Sequence, residues 1–203
     1  MECIFSRWSP GIGDPSIGGW LTVFVYGLAA FIAFMRLQVA ISERERNRAI
    51  NRDLSIWSGP EVRFWLALAL GLVLLGINKQ LDLQSFLTAT GKCAAQAQGW
   101  YDNRRTVQII FLTGLGIAGS MLAFFGFSML RGNFRKNSLV LAGMALLLTF
   151  VMARAALFHQ VDVLINWRIL GLKINWILEI GALAMIIIGA LRSRKQELLI
   201  RDQ

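Results

Sequence analysis

A chain of 203 residues in which 56% are hydrophobic and only 16% are charged is too apolar for an ordinary soluble domain. Its formal net charge is +9, from 21 Lys and Arg against 12 Asp and Glu. These charges flank apolar stretches and are not joined by a platform of aromatic residues, so we do not expect the chain to bind nucleic acid.

Five apolar stretches follow one another along the chain, at residues 18–37, 62–77, 109–130, 139–158 and 176–191. Roughly 20 helical residues cross a hydrocarbon core of about 30 Å, so each stretch is about long enough to span a bilayer. Backbone groups in lipid must hydrogen-bond within their own segment, which favours helices. The sequence therefore predicts an all-α membrane bundle of about five transmembrane helices, forming one domain over residues 1–203.

The distribution of basic residues predicts the orientation of these helices. Of the 21 Lys and Arg residues, 13 are assigned to one side: six between the first two stretches, counted from Arg36 to Arg63, three between the third and fourth, and four after the fifth. This excess marks the cytoplasmic side. The N-terminus and residues 78–108 are then outside, and the C-terminal tail is cytoplasmic. Residues 38–61 are predicted to extend the first helix beyond the membrane. Leu83, Phe86 and Leu87 share a helical face, which predicts an interfacial helix in the outside loop.

The two cysteines, Cys3 and Cys93, both belong to the predicted outside face. Two interpretations stay open: a disulfide, which an oxidising compartment would allow, or two unrelated thiols. The chain has a single histidine and no Cys-x-x-Cys pattern. We therefore expect no metal site and no cofactor.

A glycine pattern lies inside the third apolar stretch. Residues 114–119 match G-x-G-x-x-G, but a dinucleotide site requires a preceding strand and a later acidic residue, which an apolar run of this length does not provide. Small residues spaced by four instead let another membrane helix approach closely. The predicted packing residues are Gly116, Gly119, Ser120 and Ala123.

Polar residues gather at the predicted outer ends of the second, fourth and fifth stretches. An ion pair between Arg154 and Glu179 is expected, because unpaired charges inside a span are costly. In an enzyme, the candidate acid–base residues are His159, Asp162, Glu179 and Asp82. The candidate ligands for an anionic substrate are Lys79, Arg154, Asn78, Gln80 and Arg104. The alternative interpretation is that these residues only anchor the bundle.

A resemblance covers about residues 76–108. The stretch Gly76-Ile77-Asn78-Lys79-Gln80-Leu81-Asp82, followed by Gly99-Trp100-Tyr101 and Arg104-Arg105, resembles a pattern in small uncharacterised bacterial inner-membrane proteins. The resemblance implies a multi-pass protein of a bacterial inner membrane with a periplasmic outer face. It implies no catalytic role for any residue.

Three functional hypotheses follow. The first is an accessory or scaffold subunit of a larger membrane assembly, whose partners are membrane lipids and other membrane proteins. The second is a membrane enzyme that acts at the outer face on a lipid-linked or anionic substrate. It requires Lys79, Arg154, His159, Asp162 and Glu179 to line one open cavity. The third, a small transporter, requires polar residues through the centre of the bilayer, where the sequence has few.

Overall fold

The computed structural model describes residues 3, 15–50, 59–81, 89–91, 93, 94, 96, 97, 104–129, 134–156, 168, 169 and 172–201. Within these ranges the side chains of 48–50, 104–112, 115, 154–156, 168–175 and 194–201 are outside the description. All structural statements below concern the described part.

The described residues form five long helices and one small hairpin. The helices are α1 (Ile17–Ile50), α2 (Pro60–Leu81), α3 (Arg104–Met129), α4 (Phe134–Ala156) and α5 (Ile174–Arg201). The antiparallel strands β1 (Arg168–Ile169) and β2 (Leu172–Lys173) precede α5 and pair Arg168 with Lys173. The sequence did not predict this hairpin, which is too short to show an alternating pattern.

Four helices, α1, α2, α4 and α5, each contain a segment that is long and apolar enough to cross a membrane. The segments are Ile17–Asn47, Pro60–Leu81, Phe134–Ala153 and Trp176–Ser193. The described apolar part of α3, Gly116–Met129, is shorter than a full span. The structure therefore confirms four helical segments that are long and apolar enough to span a membrane. The helix α3 has 26 residues and covers most of the third predicted stretch, 109–130.

The helices extend beyond the predicted apolar stretches. The first helix has 34 residues and continues through the charged sequence to Ile50, whereas residues 51–58 of the predicted extension lie outside the described residues. The second has 22 residues, because it also includes Pro60 and Glu61 before the predicted stretch and residues 78–81 after it. Arg, Lys, Glu and Gln are good helix formers, and their long side chains can reach the headgroup region. The predicted interfacial helix at 83–87 lies outside the described residues, and residues 89–91, 93, 94, 96 and 97 are helical.

Local sequence fixes two of the helix starts. The backbone N–H of Gly19 donates to Ser16 Oγ at 3.1 Å, which makes Ser16 the N-cap of α1. Pro60 is the first residue of α2, where its missing N–H costs no hydrogen bond and its fixed φ suits the helix. The N–H of Arg63 donates to the Gly59 carbonyl at 3.1 Å and closes the first turn.

Two antiparallel helix pairs make up the bundle. The α1–α2 and α4–α5 contacts are the most extensive, and α1 also packs against α5 and so joins the pairs. Buried positions alternate in steps of three and four, the spacing of a coiled-coil seam. In α1 these positions are Thr22, Tyr26, Ala29, Ala33, Arg36 and Ala40. The helix α3 packs mainly on α4 and leaves a long row of apolar side chains exposed.

The helices α4 and α5 approach each other closely at two glycines. A Cβ added at Gly143 would lie 2.8 Å from the Ala182 carbonyl oxygen and 2.9 Å from Ile186 Cγ1. A Cβ at Gly189 would lie 2.8 Å from the backbone nitrogen of Val140. Since backbone atoms cannot move aside as a flexible side chain can, these glycines set the distance between the two helices.

We expect Gly143→Ala to destabilise the protein by about 1–3 kcal/mol, because the new methyl group forces α4 and α5 apart. The matched control is Gly181→Ala in α5, where an added Cβ meets nothing within 4 Å. Its free energy of unfolding should not fall, and should rise by up to about 1 kcal/mol, because alanine is the better helix former. The measurement is reversible unfolding in mixed micelles. Equal effects of the two substitutions would contradict the close packing at Gly143.

Candidate functional site

The most polar group in the bundle core is the Glu179 carboxylate, which receives hydrogen bonds from two other helices. Lys79 Nζ of α2 donates to Glu179 Oε2 at 2.6 Å. Tyr26 Oη of α1 donates to Glu179 Oε1 at 3.0 Å. Both carboxylate oxygens are therefore occupied. We call Tyr26, Lys79 and Glu179 the outer cluster, because they lie towards the ends of their helices that are predicted to be outside.

Burial makes this cluster costly to open. The side chains of Lys79 and Glu179 are only 5% and 3% exposed, and Tyr26 is 2% exposed. A buried ion pair contributes little net stability relative to apolar residues, but removal of one partner leaves a buried charge uncompensated. The cluster therefore holds α1, α2 and α5 in one mutual register.

The structure gives Glu179 an ionic partner that the sequence did not suggest. The expected pair was Arg154 with Glu179, whereas the structure pairs Glu179 with Lys79. The side chain of Arg154 lies outside the described residues. The expectation assumed that α4 and α5 contribute the two charges, but α2 supplies the cation because Lys79 lies in its last turn.

Two neighbours of Lys79 were also candidate ligands. Asn78 and Gln80 are partly buried near the end of α2. The amide of Gln80 is enclosed, and neither its Oε1 nor its Nε2 has a hydrogen-bond partner within the described structure. Such an amide has one acceptor and two donor positions to satisfy, so ordered water or the adjoining loop must supply its contacts.

The remaining candidates of the predicted site are not brought together in the described part. His159, Asp162 and Asp82 lie outside the described residues. Arg104 begins α3 and Arg154 lies in the last turn of α4, but their side chains are not described. Of the five residues that the enzyme hypothesis placed around one cavity, the structure joins Lys79 and Glu179, and it joins them in a closed ion pair.

A disulfide links the segment before α1 to the segment between α2 and α3. Cys3 and Cys93 are bonded, with their Cα atoms 6.1 Å apart and a sequence separation of 90 residues. Of the two interpretations left open by the sequence, the structure has the disulfide. In the chain-entropy model, closing a loop of this length stabilises the fold by about 4–5 kcal/mol.

A second polar cluster, which the sequence analysis missed, lies near the opposite end of the bundle. Arg36 of α1 is 2% exposed, and its Nη2 donates to Ser193 Oγ of α5 at 3.1 Å. The Ser193 hydroxyl donates in turn to Asn137 Oδ1 of α4 at 3.0 Å. The Arg36 guanidinium also lies 5.2 Å from the centre of the Trp65 ring of α2. We call these four residues the inner cluster.

The inner cluster corrects the role assumed for Arg36. It was grouped with the cytoplasmic charges that set the topology, but it is buried and contacts two other helices, α5 through Ser193 and α2 through Trp65. The spacing could have indicated this, because Arg36 follows Tyr26, Ala29 and Ala33 on the same buried seam of α1. Between the two clusters lie about ten residues of α1, or about 15 Å of apolar core.

The small residues of α3 have two different surroundings. A Cβ at Gly119 would lie 2.9 Å from Met152 Sδ of α4, so this glycine packs within the chain. Ser120 is exposed, and Gly116 and Ala123 are partly exposed. An open groove of about 660 Å³ runs along the outer side of α3, and it is lined by Thr113, Gly116, Ile117, Ser120, Met121, Phe124 and Phe125.

A smaller hollow lies between the end of α1 and the start of α2. It has a volume of about 260 Å³ and a lining of mixed charge that includes Glu43, Arg44 and Glu61. Neither this hollow nor the α3 groove is lined by a residue of the outer cluster. Within the described residues no group of three or more His, Cys, Asp or Glu side chains could hold a metal ion. The outer cluster is built for packing, because all three of its side chains are engaged with one another.

We expect Lys79→Met to destabilise the protein by about 3–5 kcal/mol, because it leaves the Glu179 carboxylate buried without its cation. The double variant with Lys79→Met and Glu179→Leu should regain most of this loss, since it removes both charges. The measurement is a double-mutant cycle of unfolding free energies. Additive effects of the two single substitutions would show that the ion pair does not form.

No protein-family model matches the chain, and no match was found among curated proteins or among solved structures.

Proposed function

We propose that the protein is an integral membrane accessory or scaffold subunit of a larger membrane assembly. The observation that carries the proposal is the groove on α3, a helix whose apolar outer face is engaged by no other described element. The side chains of the outer and inner clusters, by contrast, contact other residues of the same chain. What the bundle offers to other molecules is therefore an apolar helix face rather than a reactive centre.

The composition of the groove supports a helix as its occupant. Gly116 and Ser120 form its floor at a spacing of four, and Phe124 and Phe125 form a raised edge further along α3. A small-xxx-small floor lets a second backbone approach more closely than flexible lipid chains can pack, and this contact drives helix association in membranes. A transmembrane helix of a partner subunit fits such a surface.

We also propose that the N-terminus is outside and the C-terminus is cytoplasmic, in a bacterial inner membrane. Two independent features support this orientation. The basic residues are concentrated at the predicted cytoplasmic ends. The disulfide between Cys3 and Cys93 belongs to the opposite side, and disulfides persist in oxidising compartments such as the periplasm.

The two other hypotheses receive less support. An enzyme at the outer face needs an open cavity, whereas Lys79 and Glu179 are nearly fully buried in their ion pair. A transporter needs polar groups at the centre of the bilayer. The buried side chains of α1 between the clusters are Ala29, Ala30, Ile32 and Ala33, all of them apolar.

The orientation predicts how the cysteines react in intact cells. After reduction, a membrane-impermeant maleimide should label Cys3 and Cys93 without permeabilisation, and without reduction it should label neither. As a control, Ser42→Cys in a variant without the native cysteines should be labelled only after permeabilisation, because Ser42 lies on the exposed cytoplasmic extension of α1. Labelling of Ser42→Cys from outside would reverse the proposed topology.

We expect Gly116→Leu to reduce co-purification of partner subunits by at least about fivefold, since a leucine side chain fills the floor of the groove. The matched control is Gly114→Leu, two residues earlier on α3, where an added Cβ meets nothing within 4 Å and which does not line the groove. The measurement is quantitative mass spectrometry after extraction with a mild amphiphile.

Three results would contradict the scaffold role. One is a wild-type protein that is extracted alone from native membranes under mild conditions. Another is an equal loss of partners in both glycine variants, which would point to a general defect of α3. The third is an unchanged set of partners in Gly116→Leu.

A further inference from the structure

The register of α4 against α5 brings basic residues of both helices to one level. Ser193 of α5 bonds to Asn137 of α4, and Gly189 lies against Val140. In this antiparallel arrangement, the residues just before Asn137 lie beside those just after Ser193. Arg135 and Lys136 on α4 are therefore level with Arg194 and Lys195 on α5, and Arg192 lies within about one helical turn of them.

This level coincides with the boundary of the apolar segments. The candidate span in α4 begins at Phe134, and the span in α5 ends at Ser193. Arg135 and Arg192 are exposed, and Lys136 is partly exposed. Basic side chains at the end of a membrane span lie at the depth of the lipid phosphates.

Acidic residues are scarce along both helices at this end. The helix α4 contains no Asp or Glu, and α5 has none between Glu179 and Glu197. Glu43 and Glu61, which lie at the same side of the bundle, line the hollow between α1 and α2 instead. The edge formed by Arg135 and Arg192, which we call the basic edge, therefore has a local excess of positive charge.

Apolar side chains lie next to the basic edge on the membrane side. Phe134, Ile188 and Leu191 are 43%, 46% and 44% exposed, although all three are large and hydrophobic. A surface with cations at phosphate depth and exposed apolar groups just above them matches the two parts of a phospholipid, a charged headgroup and an acyl chain. Arginine can hold a phosphate through two parallel N–H bonds.

We propose that the basic edge is a binding site for the phosphate of an anionic phospholipid, in the leaflet that faces the inner ends of the helices. The complementarity of charge selects an anionic lipid over a zwitterionic one. The site is separate from the groove on α3, so it stands whether or not that groove holds a partner. Each basic residue near a membrane surface contributes roughly a fivefold increase in affinity for anionic lipid.

The test uses the full chain, delipidated in neutral detergent and titrated with phosphatidylglycerol or with phosphatidylcholine, with bound lipid counted by native mass spectrometry. We expect preferential retention of phosphatidylglycerol, and a loss of about 25-fold in its affinity in the double variant Arg135→Gln with Arg192→Gln. The variant with Arg→Lys at both positions should keep most of the affinity. The control is Arg46→Gln, which removes an exposed charge about ten residues, or about 15 Å, beyond the inner cluster.

Three outcomes would overturn the site. One is equal retention of the two lipids by the wild-type protein, a comparison that requires no variant to fold. The second is an equal loss of affinity in Arg46→Gln and in the double variant, which would show only a general effect of charge. The third is displacement of bound phosphatidylglycerol by inorganic phosphate at the same concentration, which would show an anion site without recognition of the lipid.

Discussion

The Glu179 carboxylate is buried in the core of the bundle, and the positions of three helices depend on the groups that compensate its charge. Lys79 supplies the opposite charge and Tyr26 supplies a second hydrogen bond, each from a different helix. A rotation of α1, α2 or α5 that broke either contact would leave a polar group unpaired in the core. Because that cost is high in a low-dielectric environment, the ion pair selects one packing among many that apolar contacts alone would allow.

The inner cluster also fixes the helix packing, at the other end of the bundle, but it does so with hydrogen bonds and a cation–π contact instead of an ion pair. Arg36 is held by a hydroxyl and an aromatic ring, and Ser193 passes the hydrogen bond on to Asn137. All of α1, α2, α4 and α5 take part in one cluster or both. Between them, alanines and glycines let the helices pack closely, as at Gly143 and Gly189. Polar contacts fix the register, and small residues fix the distance between helices.

Two surfaces of the protein take no part in these polar clusters, and they are the surfaces that we propose bind other molecules. The helix α3 contacts the bundle mainly through α4, as where Gly119 meets Met152, and leaves its groove open. The basic edge lies where α4 and α5 leave the apolar layer. A rigid bundle that exposes an apolar groove at one place and a cationic rim at another is suited to hold partners in position within a membrane. This is the physical basis of the proposed scaffold role.

The sequence by itself determined that the chain has the character of a membrane protein and that its apolar stretches form helices. Long apolar stretches with charges at their ends can only satisfy their backbone in lipid as helices, so the helical class and the approximate places of the spans could be predicted. The choice of partners could not, because it depends on which helices are neighbours. Lys79 meets Glu179, Arg36 is buried against Ser193 and Trp65, and Cys3 joins Cys93. Periodicity identifies the buried face of a helix, but only the tertiary structure decides what that face touches.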